Sequence, residues 1–362
     1  MNAPAGHVLV ARLDSVGDIL LAGPAVRAVA ASAQRVTMLV GRGRGTVARL
    51  LPGVDDVLEH DAPWVVPDPG PLDPAAIEAL VGAVRAARVD AALVLTSFHQ
   101  SPLPLALLLR LAGVGWVGAI SDDYPGSLLD LRHRLPEVPV DVPESERALS
   151  LARAAGFELP GPARLAVRHP LPDVSDLVGP GPYVVYHPGA DAPARRPGAE
   201  HSRALVAALV AAGHRVVVTG SAAEAPLTGL VADVLARDLA GAVDLAGLAA
   251  VLEGAEVVVA PNTGPAHLAA AVGTPVVSLF APVVPAERWA PYGVPVVLLG
   301  DAEAPCRLTR ARHCPVPGHP CLDDIDPAAV VAAVAQLLQH PPVDAADPAT
   351  PARPREAHRV RS

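Results

Sequence analysis

No lysine occurs anywhere in the 362 residues; all 28 side chains in the Lys+Arg count are arginine. That excludes Schiff-base amines, lysine general bases and the lysine-bearing Walker A phosphate loop. A phosphate held by this chain must meet arginine, backbone amides or a helix start. Aromatic residues are scarce too, at 3%, so leucine, valine and alanine must fill the cores. The three cysteines fall between positions 306 and 321, too few and too clustered for a disulfide scaffold. A formal charge of −9, with no basic run and no aromatic stacking patch, argues against a nucleic-acid partner. The N-terminal MNAPAGHVLVARLD lacks a basic stretch and apolar segment before a cleavage site, so the expected location is the cytoplasm. The one membrane-like stretch, residues 102–120, carries two prolines and Arg110. It reads as a helix followed by a strand rather than a span, leaving peripheral membrane association open.

What is present is an alternation of short valine-rich runs with Ala/Leu-rich helical stretches, the pattern of parallel sheets wrapped by helices. The expected fold class is α/β, with two Rossmann-like doubly wound domains facing a central cleft. The boundaries read as 1–160, 161–340 and a disordered tail, 341–362, that has almost nothing to bury. In the first domain strands are expected at 7–12, 35–40, 54–59, 91–96 and near Val114, with helices at 18–31, 74–87 and from Leu103, and a Pro-rich loop at 61–73. In the second, strands are expected at 183–186, 215–219, 256–260 and 275–279, with helices at 199–212, 227–237, 245–252 and 265–272. Ligands of such sheets bind at the carboxyl ends of the strands.

Five segments carry candidate chemistry. In VLVARLDSVGDILL a strand runs into a loop containing Gly17, with Asp18 at a helix start. The local sequence favours Asp18 as an N-cap, and a base facing the cleft is the alternative. In YVVYHPGADAPARRPGAEH a loop with Gly189 presents Arg195 and Arg196. These are either solvated surface or a diphosphate clamp of planar guanidinium forks, with His187 before its proline as a structural residue. In VVVAPNTGPAHLAAAVGTPVVSLFAP a strand meets Asn262, Thr263 and Gly264, and Pro265 stands at a first helical position. The free amides there suit a pyrophosphate, and His267 packs in the helix if they do not bind one. In TGSAAEAPL, Glu224 follows a strand and is either solvated or an acceptor for ribose hydroxyls. In CRLTRARHCPVPGHPC, Cys306, His313, Cys314, His319 and Cys321 lack any CxxC pair, so free thiols are favoured over zinc.

Taken in order, RLDSVGDILLAGPAVRAV, HPGADAPARRPGAEH, DLAGAVDLAGLAAVLEGAEVVVAPNTGPAHLAAAVGTPVVSLFAP and RWAPYG resemble glycosyltransferase family 9, the ADP-heptose:lipopolysaccharide heptosyltransferases. The resemblance spans about residues 7–335 and is carried most specifically by the third block. It implies a GT-B fold with an N-terminal acceptor domain and a C-terminal nucleotide-sugar domain. It also implies metal-independent, inverting transfer without a cofactor, from an ADP-heptose-like donor to a cell-envelope glycan or glycolipid, in a cytoplasmic monomer. Asp18 falls where the family has its catalytic base, which turns the reading of that residue from cap to catalysis.

By the same resemblance Arg195, Arg196, Thr263, Gly264, Pro265 and His267 bind the donor phosphates, Glu224 and Asn262 the nucleotide or ribose, and Gly17 and Gly189 shape the loops. The chain departs from the family where its phosphate-contacting lysine becomes Arg195 and Arg196, where Pro197 replaces a tryptophan, and where Asn262 precedes Thr-Gly. Domain closure would exclude water during transfer. A nucleotide-sugar epimerase or hydrolase of the same fold, and a non-catalytic sugar-nucleotide-binding scaffold, stay open as other readings.

Overall fold

The computed structural model describes residues 2–66, 69–135 and 142–339. The tail expected to be disordered, 341–362, lies outside the described residues, as do residues 67 and 68 of the Pro-rich loop. The chain forms two compact units, one within Met1–Arg168 and one within His169–Ser362. Arginines hold the 162–168 segment to the first unit. Arg27 donates to the carbonyls of Pro162 and Arg164, and Arg168 to those of Leu51 and Val54.

Unit 1 contains β1 (His7–Arg12), β2 (Arg35–Val40), β3 (Asp56–Glu59), β4 (Ala91–Val94), β5 (Trp116–Ile120) and β6 (Leu131–His133). All pair in parallel, in the order β3-β2-β1-β4-β5-β6. The central strands are buried on both faces, so they read as unbroken apolar runs rather than alternating ones. Val8, Leu9, Val10 and Leu93 are wholly buried, each such side chain contributing about 1.5–3 kcal/mol. The order reverses between β1 and β4, which opens a crevice at their carboxyl ends.

Unit 2 repeats the plan with β7 (Val184–Tyr186), β8 (Val216–Val218), β9 (Arg237–Asp238), β10 (Val257–Pro261), β11 (Val276–Leu279) and β12 (Val296–Leu299). Their order is β12-β11-β10-β7-β8-β9, again parallel, with the reversal between β7 and β10. The doubly wound α/β class expected from the valine-rich runs is therefore present in each unit. Residues 102–120 form a helix (Leu103–Leu111) and then β5, and no helix among the described residues is long and apolar enough to cross a membrane.

Two local expectations are corrected, and one helix beside the site was not expected. The single helix expected at 18–31 is two, Val16–Leu21 and Gly23–Ala30. Pro24 sits in the first turn of the second, where its missing N–H cannot continue the ladder of the first. The helix expected at 227–237 stops at Ala232, because Asp233 takes a positive φ of 47° and Arg237 joins a strand beside Val217. The helix Glu144–Ala154 was not foreseen, since its first turn, ESER, is charged rather than apolar.

Candidate active site

The crevice of unit 1 gathers charge. The loop after β1 starts the helix Val16–Leu21 with Ser15 as its N-cap. The Ser15 side chain accepts from the Asp18 N–H, and Asp18 Oδ2 accepts from the Ser15 N–H (3.2 Å) and hydroxyl (2.7 Å). Asp18 is thus the third residue of a capping box and not the N-cap. The helix consequently begins two residues earlier than read, so Gly17 is a buried helical residue rather than a loop glycine. Asp18 Oδ1 takes a hydrogen bond of 2.9 Å from Arg12 Nη2.

Arg12 ends β1, is only 3% exposed, and meets three carboxylates. Asp14 lies 2.9 Å from its Nε, Asp18 2.9 Å and Glu144 3.6 Å from its Nη2. The opposite wall is the loop after β4. There the Ser97 hydroxyl accepts from Arg12 at 3.0 Å, and Gln100 Nε2 donates to Asp14 Oδ1 at 2.5 Å. Burial pushes the Asp14 carboxyl up to about 6, against the pull of Arg12 and with the help of the nearby Asp18 charge. A cluster of this kind can hold and release a proton near neutral pH.

The crevice of unit 2 presents hydrogen-bond donors at a helix start. Thr263 stands in extended backbone ahead of the helix Gly264–Ala271, and its side chain makes no capping bond to the first-turn amides. Gly264 takes the first helical position and Pro265 the second, one place later than read, while His267 is buried at 3%. Asn262, 4% exposed, buries an amide Nδ2 that has no hydrogen-bond partner. A buried N–H left this way costs free energy until an acceptor arrives.

The loop after β7 lies beside it, the His187 N–H donating to Val259 O of β10 at 2.9 Å. Burial pushes the His187 imidazole down to about 4, outweighing the Glu224 charge nearby, so the ring is neutral at pH 7 and hydrogen-bonds Thr219 through Nδ1. Glu224 is the third residue of a second capping box, accepting from the Ser221 N–H and hydroxyl at 2.8 Å each. Burial alone would raise its carboxyl; the Ser221 bonds and the Arg196 charge hold it below the usual range. A Cβ on Gly189 would fall 1.9 Å from Glu224 Oε1, so only glycine lets the loop lie against that carboxylate. Arg195 ends a single 3-10 turn, Pro193–Arg195, with Arg196 following in extended backbone; both are partly exposed.

Cys306 and Cys321 are buried and Cys314 partly so. Burial raises Cys306 and pushes Cys321 up to about 12, so both stay thiols. Among the described residues no group of three or more His, Cys, Asp or Glu side chains is arranged to hold a metal.

The family model described as glycosyltransferase family 9 (heptosyltransferase) matches residues 77–319, more than half of the sequence. The chain belongs to glycosyltransferase family 9. This family 9 chain is 42% identical over 96 residues to the lipopolysaccharide heptosyltransferase 1 of Pseudomonas aeruginosa, a stretch that covers 26% of each protein. The match thus spans about a quarter of that relative's length. Among solved structures it is similar to a family 9 glycosyl transferase from Veillonella parvula DSM 2008, with TM-score 0.74 and 15% identity over 94% of this chain and 99% of that one. It is also similar to the E. coli heptosyltransferase WaaC with ADP, with TM-score 0.68 and 20% identity over 91% and 99%. These similarities extend over both units and establish the GT-B fold class.

In this family 9 member, the candidates read from sequence therefore sit at two strand-order reversals, Asp18 at the first and the other phosphate and nucleotide candidates at or beside the second. Sequence reasoning missed Arg12, Asp14, Ser97, Gln100 and Glu144. The pattern Ser15-x-x-Asp18 was itself a legible capping-box signal. The contacts of Ser97 with Arg12 and of Gln100 with Asp14 join residues 85 and 86 positions apart, and Glu144 lies farther still along the chain from Arg12, which no local pattern announces.

Proposed function

We propose that the protein is an inverting glycosyltransferase that moves a heptose or similar sugar from an ADP-linked donor to a cell-envelope glycan or glycolipid. In this reading unit 2 holds the donor and unit 1 supplies the base, and the work is done in the cytoplasm, at the inner membrane face if the acceptor is a glycolipid. The observation that carries it is the buried, unpartnered Asn262 amide at the head of the helix Gly264–Ala271, beside the arginine loop. That set of donors calls for a multiply charged acceptor such as a diphosphate. The match of the relatives to heptosyltransferases, one solved with ADP, supports the choice of sugar and nucleotide.

The chemistry is a single displacement. The acceptor hydroxyl oxygen bonds to the anomeric carbon as the carbon–oxygen bond to the diphosphate breaks. The electron pair leaves with the nucleoside diphosphate, and the hydroxyl proton goes to the Asp18 carboxylate. A positioned base contributes about 10²–10⁴-fold. The charge growing on the leaving diphosphate is met by Arg195, Arg196 and the backbone amides of Thr263 and Gly264 ahead of Pro265, a preorganised positive field that needs no metal. Glu224 accepts from the ribose hydroxyls.

Calorimetric titration with ADP-, GDP- and UDP-sugars, followed by turnover with and without an acceptor glycan, tests the reading. Asp18→Ala should keep donor affinity and lose turnover. Turnover at the wild-type rate in that variant would refute the base assignment, and sugar release or isomerisation without acceptor would replace transfer by hydrolysis or epimerisation.

A further inference from the structure

Asp18 is poorly placed to be a base if Arg12 alone is considered. A guanidinium 2.9 Å from a carboxylate oxygen stabilises its ionised form and so reduces its appetite for a proton. The Ser15 N–H and hydroxyl do the same at the other oxygen. Yet the guanidinium is shared. Asp14 Oδ2 sits 2.9 Å from Arg12 Nε, and Glu144 adds a third carboxylate at 3.6 Å. Further charged groups around the cluster include Arg147, 3.8 Å from Glu144, and Arg44, whose Nε donates to the Asp14 carbonyl.

We propose that Asp14 is a positioning residue for the transfer reaction: by drawing on the same guanidinium, its carboxylate offsets the pull of Arg12 and keeps Asp18 basic enough to accept the acceptor's proton. The inference rests on the reading of Asp18 as the base. It assigns a role to Asp14, which the motif around Asp18 leaves unexplained, and to Gln100. The Gln100 amide donates to Asp14 Oδ1 at 2.5 Å and favours its ionised form. Only while Asp14 is ionised does the offset operate. Below about pH 6, the value to which burial first of all pushes Asp14, that offset is lost and Arg12 acts on Asp18 with Glu144 as the remaining counter-charge. The acid limb of kcat therefore belongs to the coupled pair and not to either carboxyl.

The test uses the full-length protein and the pH profile of transfer. Asp14→Asn keeps the size of the side chain and removes the charge. It should lower kcat about tenfold, a part of the about 10²–10⁴-fold that a positioned base supplies, leave donor KM unchanged, and move the acid limb to lower pH. Gln100→Leu should move that limb the opposite way, because an Asp14 without its donor protonates at higher pH. Opposite displacements are what a merely structural role would not produce. Wild-type kcat and an unmoved limb in Asp14→Asn, or displacement in one direction by both variants, would overturn the proposal. Should Asp14→Asn fail to fold, the Gln100→Leu limb decides alone: an upward move supports the inference and none refutes it. Asp18→Ala run beside them separates the two claims. If it is inactive while Asp14→Asn is normal, only the role of Asp14 falls; if it is active, the base reading falls.

Discussion

Replacing Asp14 by asparagine should change how the stability of unit 1 depends on pH. In the folded chain burial, only partly offset by Arg12, raises the Asp14 carboxyl from 3.8 to about 6. A raised carboxyl value means the folded state binds this proton more tightly than the unfolded chain. The associated stability is complete below about pH 4 and is lost as pH rises through about 6. At about 1.36 kcal/mol per unit, the shift of roughly two units amounts to about 3 kcal/mol of stability forgone at pH 7.5. The side chain is 11% exposed, so solvent screening takes little from that figure.

Asparagine does not titrate, so the variant lacks this fall whatever constant offset the substitution brings. Urea unfolding at steps between pH 4 and 8 reads it out, followed at the fluorescence of Trp64 and Trp116, which lie in unit 1. The unit 1 transition must be fitted separately, since two units need not unfold together. From the acid end to the neutral end, the stability difference should move by about 3 kcal/mol in favour of Asp14→Asn. A difference that stays flat, or moves toward the wild type, would refute the argument that Asp14 is held ionised at a cost. With the kinetic test above, the expected variant loses less stability toward neutral pH and is slower, a trade often found where a site is strained for activity.

Two further outcomes follow from the same geometry. Arg12→Met leaves three carboxylates without their shared counter-charge and should cost about 3–5 kcal/mol at pH 8, with part of the loss recovered at pH 5 as the acids take up protons; equal losses at both pH values in urea unfolding would contradict the ion cluster. Gly189→Ala drives a methyl group into Glu224, and freeing that carboxylate from Ser221 costs about 1 kcal/mol of turn stability; donor affinity measured by calorimetry should weaken while the fold persists, and undiminished affinity would show that Glu224 does not touch the donor.

The candidate sites were unevenly legible. The phosphate end was readable because its signal is local: a valine strand, a polar turn, and a proline in the first turn of a helix stand in consecutive positions from Val257 to Ala271. Asp18 was found, but its local role was misread, since Ser15 three residues before it competes better for the helix amides and makes the two residues one box. Nothing near Asp14 or Glu144 in sequence says that one buried arginine will serve both.

The sequence alone determined the alternation of strands and helices, the absence of any amine that could hold a phosphate, and the two loops that stand at strand ends, because periodicity and residue type act over a few positions. Only the tertiary structure decided which strands are neighbours. By bringing the ends of β1 and β4 and the helix Glu144–Ala154 together, it turned separate charges into a single low-dielectric cluster around Arg12. Charge acts through space and burial, and both are fixed by the fold rather than by distance along the chain.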